Sequence, residues 1–148
     1  MEVTVLAQLL RPYWLMDIPR PVPASVARTV TSASAEEVYS ISGTLSVVAG
    51  QLRLYNRSGF PWTLLSVYIS VGTAPTGADL IVDININGTT IFSNQSNRPT
   101  ITDGSYTGVS GTPDVVTVAP GDYLTVDTDQ IGSTISGADL VAQLPVVR

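Results

Sequence analysis

Three of the side chains on which most enzymes depend are missing from this sequence: it has no cysteine, no histidine and no lysine. Without cysteine there is no disulfide, no thiolate metal site and no cysteine nucleophile. Without histidine the commonest general base is gone, and with it the usual catalytic dyads and triads and the ordinary zinc or iron sites. All seven basic residues are arginines, so Schiff-base chemistry and a P-loop lysine are excluded as well. The expectation is a protein that is not an enzyme and has no cofactor.

Charge is also scarce. Only 13% of residues are charged and the formal net charge is −5. Nucleic-acid binding needs grouped Lys/Arg to neutralise phosphates, whereas these arginines are scattered. An acidic membrane surface is an equally poor partner. No apolar run approaches the roughly 18–20 residues needed to span a bilayer. The start, Met1-Glu2-Val3, lacks the positive region of a secretory signal, and Gln8 and Arg11 break the apolar stretch after it. A soluble chain with no export address, no nucleic-acid partner and no membrane partner is expected.

What is present is a chain of 148 residues, enough for one domain with a core that needs no covalent staples. Its first 35 residues differ from the rest. Arg11-Pro12-Tyr13-Trp14-Leu15-Met16-Asp17-Ile18-Pro19-Arg20-Pro21-Val22-Pro23 holds four of the ten prolines. Proline lacks the N–H that a sheet ladder or helix interior requires and pushes its predecessor into extended geometry. An extended, polyproline-like arm over residues 1–35 is expected. Tyr13, Trp14, Leu15, Met16 and Ile18 are too apolar for a solvated linker, so they are the expected anchoring residues, packing on a neighbouring subunit in preference to the arm's own domain.

Residues 36–148 read as strands. Ser34 and Glu37 match a capping box, but Tyr39, Ile41, Leu45 and Val47 alternate with Ser40, Ser42, Thr44 and Ser46, so a strand is expected instead. Leu52–Tyr55 is next. From Trp62 to Val71 one face carries Leu65, Val67, Ile69 and Val71. Leu80, Val82, Ile84 and Ile86 then face inward, with Asp83 and Asn85 outward. Asn87-Gly88 signals a type I′ hairpin turn, with Thr89–Phe92 returning from it. The polar, glycine-rich stretch from Ser93 to Thr112 holds at most one short strand, around Ile101. Val115–Val118, the turn Ala119-Pro120-Gly121-Asp122, Tyr123–Asp129 and Asp139–Val147 complete the set. About eight strands point to an all-β, antiparallel β-sandwich, jelly roll in preference to immunoglobulin-like. Gly77-Ala78-Asp79-Leu80 is echoed by Gly137-Ala138-Asp139-Leu140, two matching strand starts.

Candidate sites are few. Asp83-Ile84-Asn85-Ile86-Asn87-Gly88 matches half a calcium loop, but the twelfth position, Asn94, is not the required glutamate. No metal site is expected. Asp122, Asp127 and Asp129 form an acidic group; paired carboxylates can serve glycoside hydrolysis only across a cleft, and a solvated strand edge is the simpler reading. Among Tyr55, Phe60, Trp62, Tyr106 and Tyr123, all in or near turns, Trp62 reads as a plug beneath a loop. Phe60 and Tyr106 are the candidate glycan contacts. Asn56-Arg57-Ser58, Asn87-Gly88-Thr89 and Asn94-Gln95-Ser96 fit the glycosylation triplet, which matters only along a eukaryotic secretory route.

The run from Val71 to Phe92, VGTAPTGADLIVDININGTTIF, together with Arg98-Pro99-Thr100-Ile101, Pro120-Gly121-Asp122-Tyr123-Leu124-Thr125-Val126-Asp127 and Asp129-Gln130-Ile131-Gly132-Ser133-Thr134, resembles a β-sandwich domain of tailed-bacteriophage virion surface proteins. The resemblance covers roughly residues 38–147 and not the arm. It implies a structural component of the virion, a minor tail protein first and a capsid decoration protein second. The implied partners are other virion proteins, and a homo-oligomer is expected, a trimer among the options. It carries no catalytic residues. A carbohydrate-binding module reading host cell-surface glycan through loops around Phe60, Tyr106 and Gly132 is the alternative of another class, and a hydrolase resting on the aspartates is the weakest.

Overall fold

The computed structural model describes residues 34–148. The expected arm with Tyr13, Trp14, Leu15, Met16 and Ile18 lies outside the described residues. The rest is all-β. Eleven strands run β1 (Ser34–Thr44), β2 (Val48–Tyr55), β3 (Trp62–Leu64), β4 (Tyr68–Ser70), β5 (Leu80–Ile86), β6 (Thr89–Thr90), β7 (Thr100–Ile101), β8 (Thr107–Val109), β9 (Thr117–Val118), β10 (Tyr123–Gln130) and β11 (Ala138–Val147). The only helical piece among the described residues is one 3-10 turn at Gln95–Asn97.

All pairings are antiparallel, and they form one curled sheet. Its order is β2-β10-β5-β7-β8-β4-β11, with β1 on the far side of β11. β3 shares the β4 side of β11 and carries β9, while β6 shares the β7 side of β5. The core fills the curl. Leu80, Val82, Ile84, Leu124, Val126 and Val146 have 0% exposure, each contributing about 1.5–3 kcal/mol by leaving water.

The hairpin forms as its dipeptide dictates. Asn87 (φ +52°) and Gly88 (φ +82°) both take the positive φ that a type I′ turn needs, and Ile86 faces Thr89 across it. The Pro120-Gly121 turn closes with the Asp122 N–H donating to the Ala119 carbonyl at 3.0 Å. The repeated Gly-Ala-Asp-Leu also has a physical meaning. Gly77 and Gly137 both have positive φ at a strand start. Asp79 then accepts the Asp103 N–H at 2.9 Å, and Asp139 accepts the Gly43 N–H at 2.8 Å.

Four readings of the sequence need correction. Leu65 is exposed, not core: Trp62 and Leu64 face inward before it, Val67 and Ile69 after it, so the phase slips by one residue between β3 and β4. The cause lies in the neighbouring strand. Pro145 has no N–H to give, its carbonyl takes the Leu65 N–H at 3.0 Å, and the ladder on that side of β11 is interrupted there. Val47, expected inward with Leu45, is exposed, because β1 ends at Thr44 and Val47 falls in the connection to β2. Asp83 and Asn85, on the face opposite Leu80, Val82 and Ile84, are buried rather than exposed. Side chains of the flanking strands crowd that face: Asp83 lies opposite Asp127 and accepts from the Thr90 hydroxyl, and Asn85 lies between Thr125 and Thr90. Lastly, the glycine-rich stretch holds two strands, not one. β8 was hidden by Gly108, where a Cβ would stand 2.0 Å from the Thr100 carbonyl oxygen; such close approach is what a glycine inside a strand marks.

Candidate functional site

The sheet has two ends that carry loops, and the candidate residues divide between them. Phe60 precedes β3, whose Thr63 faces Val147 at one end of β11. Tyr106 precedes β8, and its carbonyl accepts the Val71 N–H at 3.0 Å beside the Ser70–Val141 pair. Six residues of β11 separate these levels, about 20 Å at the rise of an antiparallel strand. Phe60 (71% exposed) and Tyr106 (58%) are both open to solvent, but they do not share a face.

At the Phe60 end the loop from Asn56 to Pro61 is built around one buried amide. The Asn56 side chain is 1% exposed. Its Nδ2 donates to the carbonyls of Phe60 and Val118, both at 2.9 Å, and its Oδ1 accepts from the Ser58 N–H at 3.0 Å and the Ser58 hydroxyl at 2.7 Å. Both donors and both lone pairs of the amide are used. The Asn56 N–H also donates to Asp122 O, and Gly121 N–H to Asn56 O, which ties this loop to the Pro120 turn. Asn56 is therefore a structural hub rather than an accessible acceptor for a glycan. Trp62 packs beneath as expected, its Nε1 donating to Ser58 Oγ at 3.0 Å.

Sequence reading missed what lies beside this loop. Tyr55 and Tyr123 face each other across β2 and β10, ring centroids 5.4 Å apart and tilted by 52°. The Arg57 guanidinium lies over the Tyr55 ring at 4.9 Å, and that of Arg53 over Tyr123 at 4.8 Å. A third, Arg148, covers Trp62 at 4.7 Å. The available signal was Arg53 and Tyr55, two apart and so on one face of a strand, with Arg57 just beyond its end.

The opposite end is held by backbone and carboxylates. Gly104 N–H donates to Pro75 O at 2.8 Å and Gly77 N–H to Asp103 at 3.1 Å, joining the Tyr106 loop to residues 72–77. Gly132 lies against the same residues: a Cβ there would stand 1.9 Å from Ile135 O and 2.7 Å from Thr76 N. It is a glycine of close approach, placed by the Thr76 N–H donating to Ile135 O at 2.9 Å.

Each aspartate of the acidic group has a structural partner. Asp122 accepts from Asn87 Nδ2 at 2.7 Å and Ala119 N–H at 2.9 Å. Asp127 accepts the Gly50 N–H at 2.6 Å, and Asp129 pairs with Arg98. Asp83 lies within β5, inside the half calcium loop, and accepts from the Thr90 hydroxyl at 2.8 Å. Burial raises the pKa of its carboxyl above the usual carboxylate value, with Asp129 adding to the rise, while the Thr90 and Ile84 hydrogen bonds and Arg98 oppose it.

β1 and β2 are edge strands of the sheet, consecutive in the chain but not hydrogen-bonded to each other. An open cleft of about 330 Å³ lies between them, lined by Glu37, Val38, Tyr39, Ser40 and by Leu52, Arg53, Leu54. Its lining is mixed: Glu37, Ser40 and Arg53 are polar, while Val38 is 58% exposed and Val47, Val48 and Leu52 are exposed nearby. The Tyr39 hydroxyl is buried beside it with no partner among the described residues. Burial, then the neighbouring Glu37 charge, pushes that hydroxyl's pKa above the ordinary tyrosine value. No protein-family model matches the chain, and no curated protein matches it.

Proposed function

We propose that this protein is a structural component of a bacteriophage virion, displayed on the particle surface and anchored through its N-terminal arm. A minor tail protein is the first placement and a capsid decoration protein the second. The observation that carries the reading is the open seam between β1 and β2. A sheet edge is a row of unpaired N–H and C=O groups, which solitary proteins blunt with charge, proline or cover. Here Glu37 and Arg53 line the seam, but beside them one side presents exposed Val38 and the other exposed Val48 and Leu52, apolar surface that a neighbouring subunit would cover. The phage-like phrases between Val71 and Thr134 support the same reading, as does an exterior short of charge. Within this proposal the curled sheet is a jelly-roll-type sandwich, with β2-β10-β5 as one layer and β1-β11-β4-β8 as the other.

Immunogold electron microscopy of phage particles with an antibody against this chain tests the proposal. Label over the head makes it a decoration protein, and label at the tail tip a tail protein. Label absent from both intact and disrupted particles ends the virion reading. The anchoring role has its own test. Deleting residues 1–30 is expected to leave the domain folded, with an unchanged melting temperature, while incorporation into particles falls. Unfolding of the truncated chain would make the arm a strap on its own domain.

A further inference from the structure

We propose that the sheet end carrying Arg53, Arg57 and Phe60 binds an acidic oligosaccharide, a chain of sugar rings bearing repeated carboxylate or phosphate groups. This goes beyond the assembly reading and is made for the chain outside an assembly, because Arg53 also lines the β1–β2 cleft that the assembly reading covers.

The first support is charge. The described residues contain four arginines. Arg98 pairs with Asp129 and Arg148 with Glu37. Arg53 and Arg57 pair with no carboxylate among the described residues, although the chain as a whole carries a net −5. Each lies instead on a tyrosine ring, at 4.8 Å and 4.9 Å. A guanidinium held over a ring still has N–H groups to offer, and they match the two oxygens of a carboxylate or phosphate. In an acidic protein, two such cations without counter-charges form a local site for an anion.

The second support is rigidity. Arg57 and Phe60 belong to the loop that the buried Asn56 amide fixes through its four hydrogen bonds. Arg53 is on the adjacent strand, over the ring that faces Tyr55. The loop's main chain therefore has little freedom left to lose when a ligand arrives, which is how a small exposed site gains affinity.

The third is the ligand's shape. The tyrosine faces are taken up by the guanidiniums and by each other, so they hold cations rather than sugars. Phe60 is the most exposed large apolar side chain among the described residues, and its ring, three residues on from Arg57 in the same loop, is free for the apolar face of a pyranose. Two cations standing on different rings call for a ligand with at least two acid groups, hence an oligomer. A nucleic acid also has repeated anions, but it needs a larger basic surface than two arginines on a net-acidic chain.

The test is isothermal titration of the full chain with four probes: an oligogalacturonate decamer, a phosphomannan oligosaccharide, a neutral mannan oligosaccharide and a thymidine decanucleotide. Binding to either acidic saccharide, weakened by added salt, with neutral mannan silent, is the expected result. Binding of one acidic probe alone identifies carboxylate or phosphate as the recognised group. Arg53→Gln and Arg57→Gln should each weaken binding about tenfold, the size of one lost charge-assisted contact. Phe60→Ala should weaken it too, while Arg98→Gln, a cation elsewhere on the sheet, should not. All four positions are at the surface, and circular dichroism checks that each variant folds. The proposal is overturned if no acidic saccharide binds at millimolar concentration or if neutral mannan binds equally well. It also fails if the decanucleotide binds as tightly as the saccharides, or if the Arg53 and Arg57 variants bind unchanged. Because this is read on purified protein and the virion reading on particles, either can fail without the other.

Discussion

The two ends of the sheet are closed by different chemistry. At the Asn56 end a neutral buried amide ties its own loop to β9, and the charges nearby are arginines on aromatic rings and Asp122, which accepts from Asn87 and Ala119. At the Gly132 end aspartates and bare backbone do the joining, and glycines allow main chains to approach where no side chain fits. The first arrangement leaves Arg53 and Arg57 without a carboxylate partner among the described residues, whereas Arg148 pairs with Glu37. The second uses its carboxylates internally. Two ends of one scaffold can thus divide the work, one presenting side chains and the other locking the strands.

The largest expected effect comes from removing the amide. Asn56→Ala leaves the carbonyls of Phe60 and Val118 without their donor, and should cost about 3–4 kcal/mol in chemical denaturation; a loss under 1 kcal/mol would mean that the loop closes without it. At the other end Gly132→Ala meets backbone atoms on two sides, which cannot yield as a side chain can, and should cost about 3 kcal/mol. If it melts like the parent protein, the close approach is not what orders that end. Between them in kind is Gly88→Val in the hairpin. Nothing but the Tyr123 hydroxyl, 3.9 Å away, would meet its Cβ, so the cost of about 2 kcal/mol isolates the price of positive φ for a β-branched residue. An unchanged melting temperature would refute the turn geometry.

The smallest effect depends on pH and belongs to neither end. Asp83 has a pKa raised above its unfolded value, chiefly by burial. Between the unfolded and folded pKa the native state therefore binds more protons, so stability falls as pH rises through that window. Asp83→Asn should raise the melting temperature slightly at neutral pH, and the gain should vanish below about pH 4, where the acid is protonated in both states. A gain that persists at low pH would point to packing instead of ionisation.

Local rules were legible in the sequence and long-range ones were not. Asn87-Gly88 and Pro120-Gly121 declare their turns because backbone sterics act within four residues. The inward row from Leu80 to Ile86 was equally plain, since period two needs no knowledge of partners. The fate of the outward row was not: Asp83 and Asn85 are covered because of where β5 sits in the sheet, a property of pairing and not of the strand. The slip at Leu65 follows from Pro145, about eighty residues away in sequence, too far for any local pattern to carry. Gly108 concealed β8 because a strand glycine resembles a loop glycine until its neighbour is known. Asn56 read as part of a glycosylation triplet, since the sequence does not reveal whether an amide is buried. Phe60 and Tyr106 were legible as exposed rings, but their separation was not, nor was the set of arginine–tyrosine contacts beside Phe60.

β11 holds β1 on one side and both β3 and β4 on the other. While the chain is being made, β1 leaves the ribosome about a hundred residues before the strand it pairs with, a wait of about 5–20 s at ordinary elongation rates. For that interval Tyr39 and Ile41 have no strand to pack beside. Closure is a late event that joins the farthest parts of the described chain, the kind of topology that folds slowly and is prone to wrong pairing when crowded with its own copies.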